Sequence, residues 1–223
     1  MIQQARIRKT KYFFEARDYF MADLKADIEK GIKMAEKLGL TPVFRLNGTS
    51  DLAFEKYTIN ENNLFELFPD VQFYDYTKVL GRKVSKYKNY HLTFSAADGN
   101  DADVAEAIKQ GMNVAMVFDK LPESYMGREV INADEHDLRF LDKQGVIAGL
   151  KAKGKGKKDT TGFVRRVVDI QAVWDYNTTS TAKRSDYVTK SYRCFHVHSA
   201  SMDPAFSYAN GNHSGWRNEL KTV

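Results

Sequence analysis

The chain has 223 residues, 43% of them hydrophobic, with a formal net charge of +5; this suffices for one sizeable core and predicts one domain, or one plus an appendage. No run approaches the roughly 18 apolar residues of a membrane span, and the opening Met1-Ile2-Gln3-Gln4-Ala5-Arg6 lacks the apolar stretch of a signal peptide, so a cytoplasmic protein with no membrane partner is expected. Cys194 is the only cysteine, which excludes an internal disulfide, a thiolate zinc cluster and a three-cysteine iron–sulfur site.

In chain order, Arg6, Arg8, Lys9 and Lys11 first form a small basic arm beside Tyr12, Phe13 and Phe14. From Asp18 to Leu40, apolar residues recur at Phe20, Leu24, Ile28, Ile32, Ala35 and Leu38, the spacing of an amphipathic helix, with Gly39 as its stop. Pro42 to Gly48 reads as a strand, Asn60 to Phe68 as a helix capped by Asn60, and Val71 to Thr77 and His91 to Ser95 as strands. Asp101 to Gly111 is a helix. Asn113 to Asp119 is a nearly continuous apolar run, the pattern of a strand buried on both faces of a parallel sheet. Gly145 to Lys151 is a further strand. Beyond Thr160, short strand-like pieces such as Phe163 to Trp174 and Tyr192 to His198 alternate with Thr, Ser, Asn and Gly.

This alternation predicts an α/β fold: a partial or open barrel of parallel βα units, with an N-terminal helix and a strand-rich, basic C-terminal extension. The expected organisation is a basic arm and helix over 1–40, an αβ body over 41–150, and an extension over 151–223 packed on that body. Residues 151–223 hold 13 Lys and Arg against 6 Asp and Glu, while residues 1–150 hold 21 against 23. The net positive charge therefore resides in the extension.

The extension begins with Lys151, Lys153, Lys155, Lys157 and Lys158, spaced by Gly154 and Gly156, a pattern that predicts a flexible cationic loop. Arg165, Arg166, Lys183, Arg184 and Arg193 add charge, and Tyr187, Tyr192, Trp174, Tyr176 and Phe195 interleave rings on which unstacked bases can lie. Basic residues among aromatic planes suit a single nucleic-acid strand, so the expected function is nucleic-acid binding with little sequence preference. A host or phage protein and a second copy of the chain are the other partners the sequence leaves open.

A second candidate site lies where parallel strands end: Arg45, Asn47, Asp51, Asp75, Tyr76, Thr93 and Asp119 would form a ring of polar groups with Arg45 as an anion clamp, and the alternative function is a small-ligand-binding or hydrolytic αβ-barrel enzyme using it. The same residue types cap helices and make turns. No nucleophile elbow, Walker loop or dinucleotide fingerprint is present, so no catalytic residue and no cofactor is assigned. His196 and His198 share a strand face, with His213 and Asp203 as further ligand candidates, but no carboxylate pattern completes a metal site and none is expected. Asp134, Glu135, Asp137 and Asp142 invite a two-metal nuclease reading, but a solvated turn with helix-capping aspartates is the expectation.

Four segments carry a family resemblance: Arg45-Leu46-Asn47-Gly48-Thr49-Ser50-Asp51, Phe68-Pro69-Asp70-Val71-Gln72-Phe73-Tyr74-Asp75-Tyr76-Thr77-Lys78, Tyr90-His91-Leu92-Thr93-Phe94-Ser95 and Asp137-Leu138-Arg139-Phe140-Leu141-Asp142. In order and spacing they resemble a family of uncharacterised bacteriophage and plasmid proteins over about residues 41–163. That family is weakly similar to the partial αβ barrel of radical S-adenosylmethionine enzymes. The resemblance implies a phage or mobile-element origin and a location in the cytoplasm of an infected bacterial host. The cluster-binding cysteine triplet of the radical enzymes is absent here.

Overall fold

The computed structural model describes residues 2–167 and the backbone of residues 191–196 and 219–222. In chain order the helices are α1 (Ile2–Glu15), α2 (Arg17–Lys37), α3 (Leu64–Leu67) and α4 (Asp101–Lys109). The strands are β1 (Thr41–Arg45), β2 (Thr58–Ile59), β3 (Asn62–Asn63), β4 (Gln72–Thr77), β5 (Tyr90–Ser95), β6 (Val114–Phe118), β7 (Ser124–Tyr125), β8 (Arg128–Asn132), β9 (Ile147–Lys151), β10 (Val164–Arg165), β11 (Ser191–His196) and β12 (Glu219–Thr222). The chain is mixed α/β with mostly parallel strand pairing, and the strand order does not close into a barrel. Two compact units result, one from residues 2–75, 81–91, 191–196 and 219–222, the other from residues 76–80 and 92–167.

In the first unit, β1 pairs in parallel with β4 on one side and β11 on the other, and β12 runs antiparallel on β11. The strand from the far end of the sequence thus joins this sheet, with Val43 opposite Cys194. Helix α2 buries Phe20, Met21, Leu24, Ile28 and Ala35, one stripe of the predicted amphipathic pattern. It stops at Gly39, whose φ of +63° is a left-handed conformation that glycine adopts without a side-chain clash. The basic arm is itself helical, because α1 has an anchor: buried Phe13 packs edge-on against Phe20 (5.3 Å) and Tyr57 (5.1 Å), and the Tyr12 hydroxyl donates to Asp23 (3.0 Å).

The helix expected from Asn60 begins later. Asn60 and Glu61 take positive φ (47° and 71°) and form the turn between β2 and β3, a conformation that Asn tolerates well in tight hairpins. Asn63 is the cap instead. Its side chain accepts from the Phe65 and Glu66 N–H groups (3.0 and 3.1 Å), while its own N–H donates to the Glu66 carboxylate (3.0 Å).

In the second unit the order is β5-β6-β9-β8-β7, parallel except for the β7–β8 hairpin. Helix α4 links β5 to β6 as a βα crossover and buries Val104 and Ala107 against Phe94, Val114, Met116, Phe118 and Ile147. β6 is buried at Val114, Ala115, Met116 and Phe118, as its apolar run predicts. β8 arises in the less regular stretch before Asp134 and pairs in parallel with β9. Gly149 permits this: a Cβ there would meet Leu121 Cδ2 and Val130 Cγ1 at 2.7 Å each.

Candidate nucleic-acid interface

The lysine row follows β9, and both of its ends are fastened to the carboxyl end of β6. The Ala152 N–H donates to the Phe118 carbonyl (2.8 Å), and the Asp119 N–H donates to the Arg165 carbonyl (3.2 Å). β10 occupies the part of β6 that β5 leaves open: β5 reaches Val114 and Ala115, whereas β10 pairs with Val117 and Phe118. Ala152 and Val164 are buried, so the segment leaves the core at one place and returns to the same strand.

Between these anchors the row, predicted as a loop from its glycines, folds as a hydrogen-bonded turn. Gly154–Lys158 is one turn of 3-10 helix, continued by the Asp159 N–H donating to the Gly156 carbonyl (3.0 Å). Asp159 then holds the returning chain. Its carboxylate accepts from the N–H groups of Val164 (3.1 Å) and Gly162 (3.2 Å) and from the Thr161 hydroxyl (2.8 Å). From the other side Arg166 donates to the carbonyls of Lys157 (3.2 Å) and Asp159 (2.9 Å).

The carboxylates around the turn are engaged by the protein. Asp134 accepts from Lys153 Nζ (2.7 Å) and from the Lys151 N–H (3.0 Å), bonds that hold it below the usual carboxylate range. Asp119 is held down by the Val167 N–H (3.0 Å), then by the Lys120 N–H and the Arg166 charge. Asp159 is held down first by the Val164 N–H and then by the Thr161 hydroxyl. Arg165 is ion-paired with Asp101 at the start of α4. Lys155, Lys157 and Lys158 remain exposed, and among the described residues their side chains form no ion pair or hydrogen bond. Phe163, partly exposed, lies at the end of the same segment.

The polar ring divides between the two units. In the first, Asn47 and Asp75 meet: the Asn47 N–H and Nδ2 donate to the Asp75 carboxylate (2.8 and 3.2 Å), and the Tyr90 hydroxyl donates to it as well (3.2 Å). Burial pushes Asp75 up to about 6, against these bonds and the Arg45 charge. Arg82 closes the network through Tyr90 (3.0 Å), Glu55 (2.6 and 3.0 Å) and Asp51 (3.3 Å). In the second unit the Tyr76 hydroxyl donates to Asp137 (2.7 Å), and the hydroxyl of buried Thr93 has no hydrogen-bond partner among the described residues. Asp119, as shown, belongs with the lysine turn.

A family model, Gene product 88, matches residues 1–167. The chain belongs to that family. The match to the Gene product 88 family takes in the whole lysine turn with Arg165 and Arg166, and ends just after β10. No curated protein and no solved structure matches the chain. Beyond the Gene product 88 match, Tyr192 and Arg193 stand on β11, in register with Thr41 and Pro42. Lys183, Arg184 and Tyr187 lie outside the described residues, as do Trp174, Tyr176, His198, Asp203 and His213.

The acidic stretch has separate partners at each position. Glu135 accepts from Asn132 (3.1 Å), Asp137 from Tyr76, and Asp142 faces Arg139 at 3.3 Å. Among the described residues no three His, Cys, Asp or Glu side chains gather into a metal-binding group. Sequence reasoning missed Arg139, which is 1% exposed and reaches His136 through its other guanidinium nitrogen. The signal was an arginine flanked by Leu138 and Phe140. Burial pushes Asp142 up to about 6, with Arg139 opposing and Asp137 adding to the rise. Arg82, Glu55 and Tyr90 were also missed, because their convergence on Asp75 depends on segments far apart in sequence.

Proposed function

We propose that the protein binds nucleic acid, single-stranded and with little sequence preference, at the carboxyl end of the parallel strands of its second unit. One observation carries this reading. Three lysines project from a stapled turn beside β6 and β9, while the acidic groups around them are engaged within the protein, Asp134 by Lys153, Asp101 by Arg165 and Asp159 by backbone N–H groups. Crevices at the carboxyl ends of parallel strands are where such sheets take their ligands, and uncompensated cations there attract phosphates. Partly exposed Phe163 supplies a plane on which a base can stack. A single turn offers neither the helix nor the two-stranded ribbon that enters a duplex major groove, which favours a single strand. The family match and the resemblance stated above support an origin in a phage or mobile element, hence work in the cytoplasm of a bacterial host.

The test is fluorescence anisotropy with a labelled oligothymidylate and with a duplex of equal length, at low salt. The single strand binds more tightly, and Lys155→Ala/Lys157→Ala/Lys158→Ala loses most of that binding while its melting temperature stays near wild type. Absence of binding at low salt, or equal binding by the triple variant, rejects the reading.

A further inference from the structure

We infer that Arg166 and Asp119 are positioning residues that preset the lysine turn, not phosphate contacts; this rests on the single-strand reading above. The Arg166 guanidinium spends its Nη2 donors inward, on the carbonyls of Lys157 (3.2 Å) and Asp159 (2.9 Å). Those two carbonyls bracket Lys158. Nη1 of the same group lies 3.8 Å from Asp119. Asp119 in turn fixes where Arg166 leaves the sheet, because it accepts from the Val167 N–H (3.0 Å) while its own N–H donates to Arg165 (3.2 Å). Asp119 therefore clamps the residues on both sides of Arg166 to the end of β6, Val167 through its carboxylate and Arg165 through its backbone N–H, and the arginine clamps the turn.

The consequence concerns how the lysines meet a polyanion. Three lysines on a glycine-spaced free loop would have to be ordered at the moment of binding, and ordering side chains and backbone weakens an encounter. With the turn already closed, Lys155, Lys157 and Lys158 keep a fixed mutual arrangement. A planar guanidinium reaching two carbonyls at once does this where a lysine ammonium does not. Asp119, counted at first among ligand-pocket residues, and Arg166, counted among phosphate contacts, thus acquire a shared structural task in the binding site.

The roles separate by sign. A carboxylate near a polyanion repels it, so removing Asp119 strengthens binding if only charge matters; a positioning role predicts that Asp119→Ala weakens it. Arg166→Ala weakens oligothymidylate binding roughly tenfold, the salt slope stays near that of wild type, and Arg166→Lys fails to restore affinity. If Arg166 is a phosphate contact, its loss makes the slope shallower by about 0.7 and Arg166→Lys restores binding; that result overturns the inference and leaves the nucleic-acid reading standing. Hydrogen exchange of the free, full-length protein gives an independent answer. Arg166→Ala accelerates exchange in the segment 152–163, through the Gly156 and Asp159 amides, roughly tenfold, and unchanged exchange overturns the inference whether or not the oligonucleotide binds.

Discussion

Replacing Tyr90 with phenylalanine tests the buried network around Asp75 through its dependence on pH. The ring is retained, so its stack on Phe65, at 3.9 Å between centroids and 15° between planes, is retained too. What disappears is the hydroxyl that donates to Asp75 (3.2 Å) and accepts from Arg82 (3.0 Å). Arg82 keeps its two bonds to Glu55, so the main loss falls on the carboxylate. A hydrogen bond to a charged group contributes about 1.5–3 kcal/mol and a neutral one about 0.5–1.5 kcal/mol. With Asp75 pushed up to about 6, it is almost fully ionised at pH 8 and mostly protonated at pH 5. Tyr90→Phe therefore costs about 2 kcal/mol at pH 8 and about 1 kcal/mol at pH 5. Urea unfolding followed by circular dichroism reads this as a midpoint shift of about 1 M and about 0.5 M, taking an m-value near 2 kcal/mol/M. The sign follows from linkage. Because the folded pKa lies above the unfolded one, the native state holds a proton that the unfolded chain releases, and the stability this contributes is lost as pH rises through about 6. An equal loss at both values, or a larger one at pH 5, refutes the argument.

Three further substitutions probe separate parts of the scaffold. Arg139→Met leaves the buried Asp142 carboxylate without its counter-charge and costs about 3–5 kcal/mol, whereas Arg139→Met/Asp142→Leu recovers much of that loss in the same urea assay. Gly149→Ala drives a methyl into Leu121 and Val130; the expected cost is about 1–3 kcal/mol, and a neutral result contradicts the close β8–β9 packing. Asn63→Ala removes the cap of α3 together with a 2.6 Å bond to Tyr87, and lowers stability by at least about 1 kcal/mol, read as a lower melting temperature.

The parallel scaffold was legible because its signals are local. The run from Asn113 to Asp119 has no polar face, the period from Phe20 to Leu38 is helical, and Gly39 stops it. Helix α1 was not legible as a helix: its order depends on Phe13 meeting Phe20 and Tyr57, contacts that no local pattern reveals. The cap at Asn63 in place of Asn60 has the same origin, since both asparagines satisfy the local rule and the β2–β3 hairpin decides between them. At the candidate site, the lysines were visible as charge. The turn that carries them was not, because it is held by Asp159 and Arg166 turning back on carbonyls and amides that sequence spacing does not single out. Of the strand-end ring, Asn47 and Asp75 bond to each other in the first unit, while in the second Tyr76 bonds Asp137 and Asp119 holds the lysine turn.

The salt dependence of oligothymidylate binding tests the central claim most directly. With three lysines as the phosphate contacts, the logarithm of the association constant falls with the logarithm of salt at a slope of about −2.1, or about 18-fold between about 50 and 200 mM. The Lys155→Ala/Lys157→Ala/Lys158→Ala variant is predicted to bind weakly with a slope near zero. A wild-type slope that the triple variant retains places the phosphate contacts elsewhere and contradicts the account.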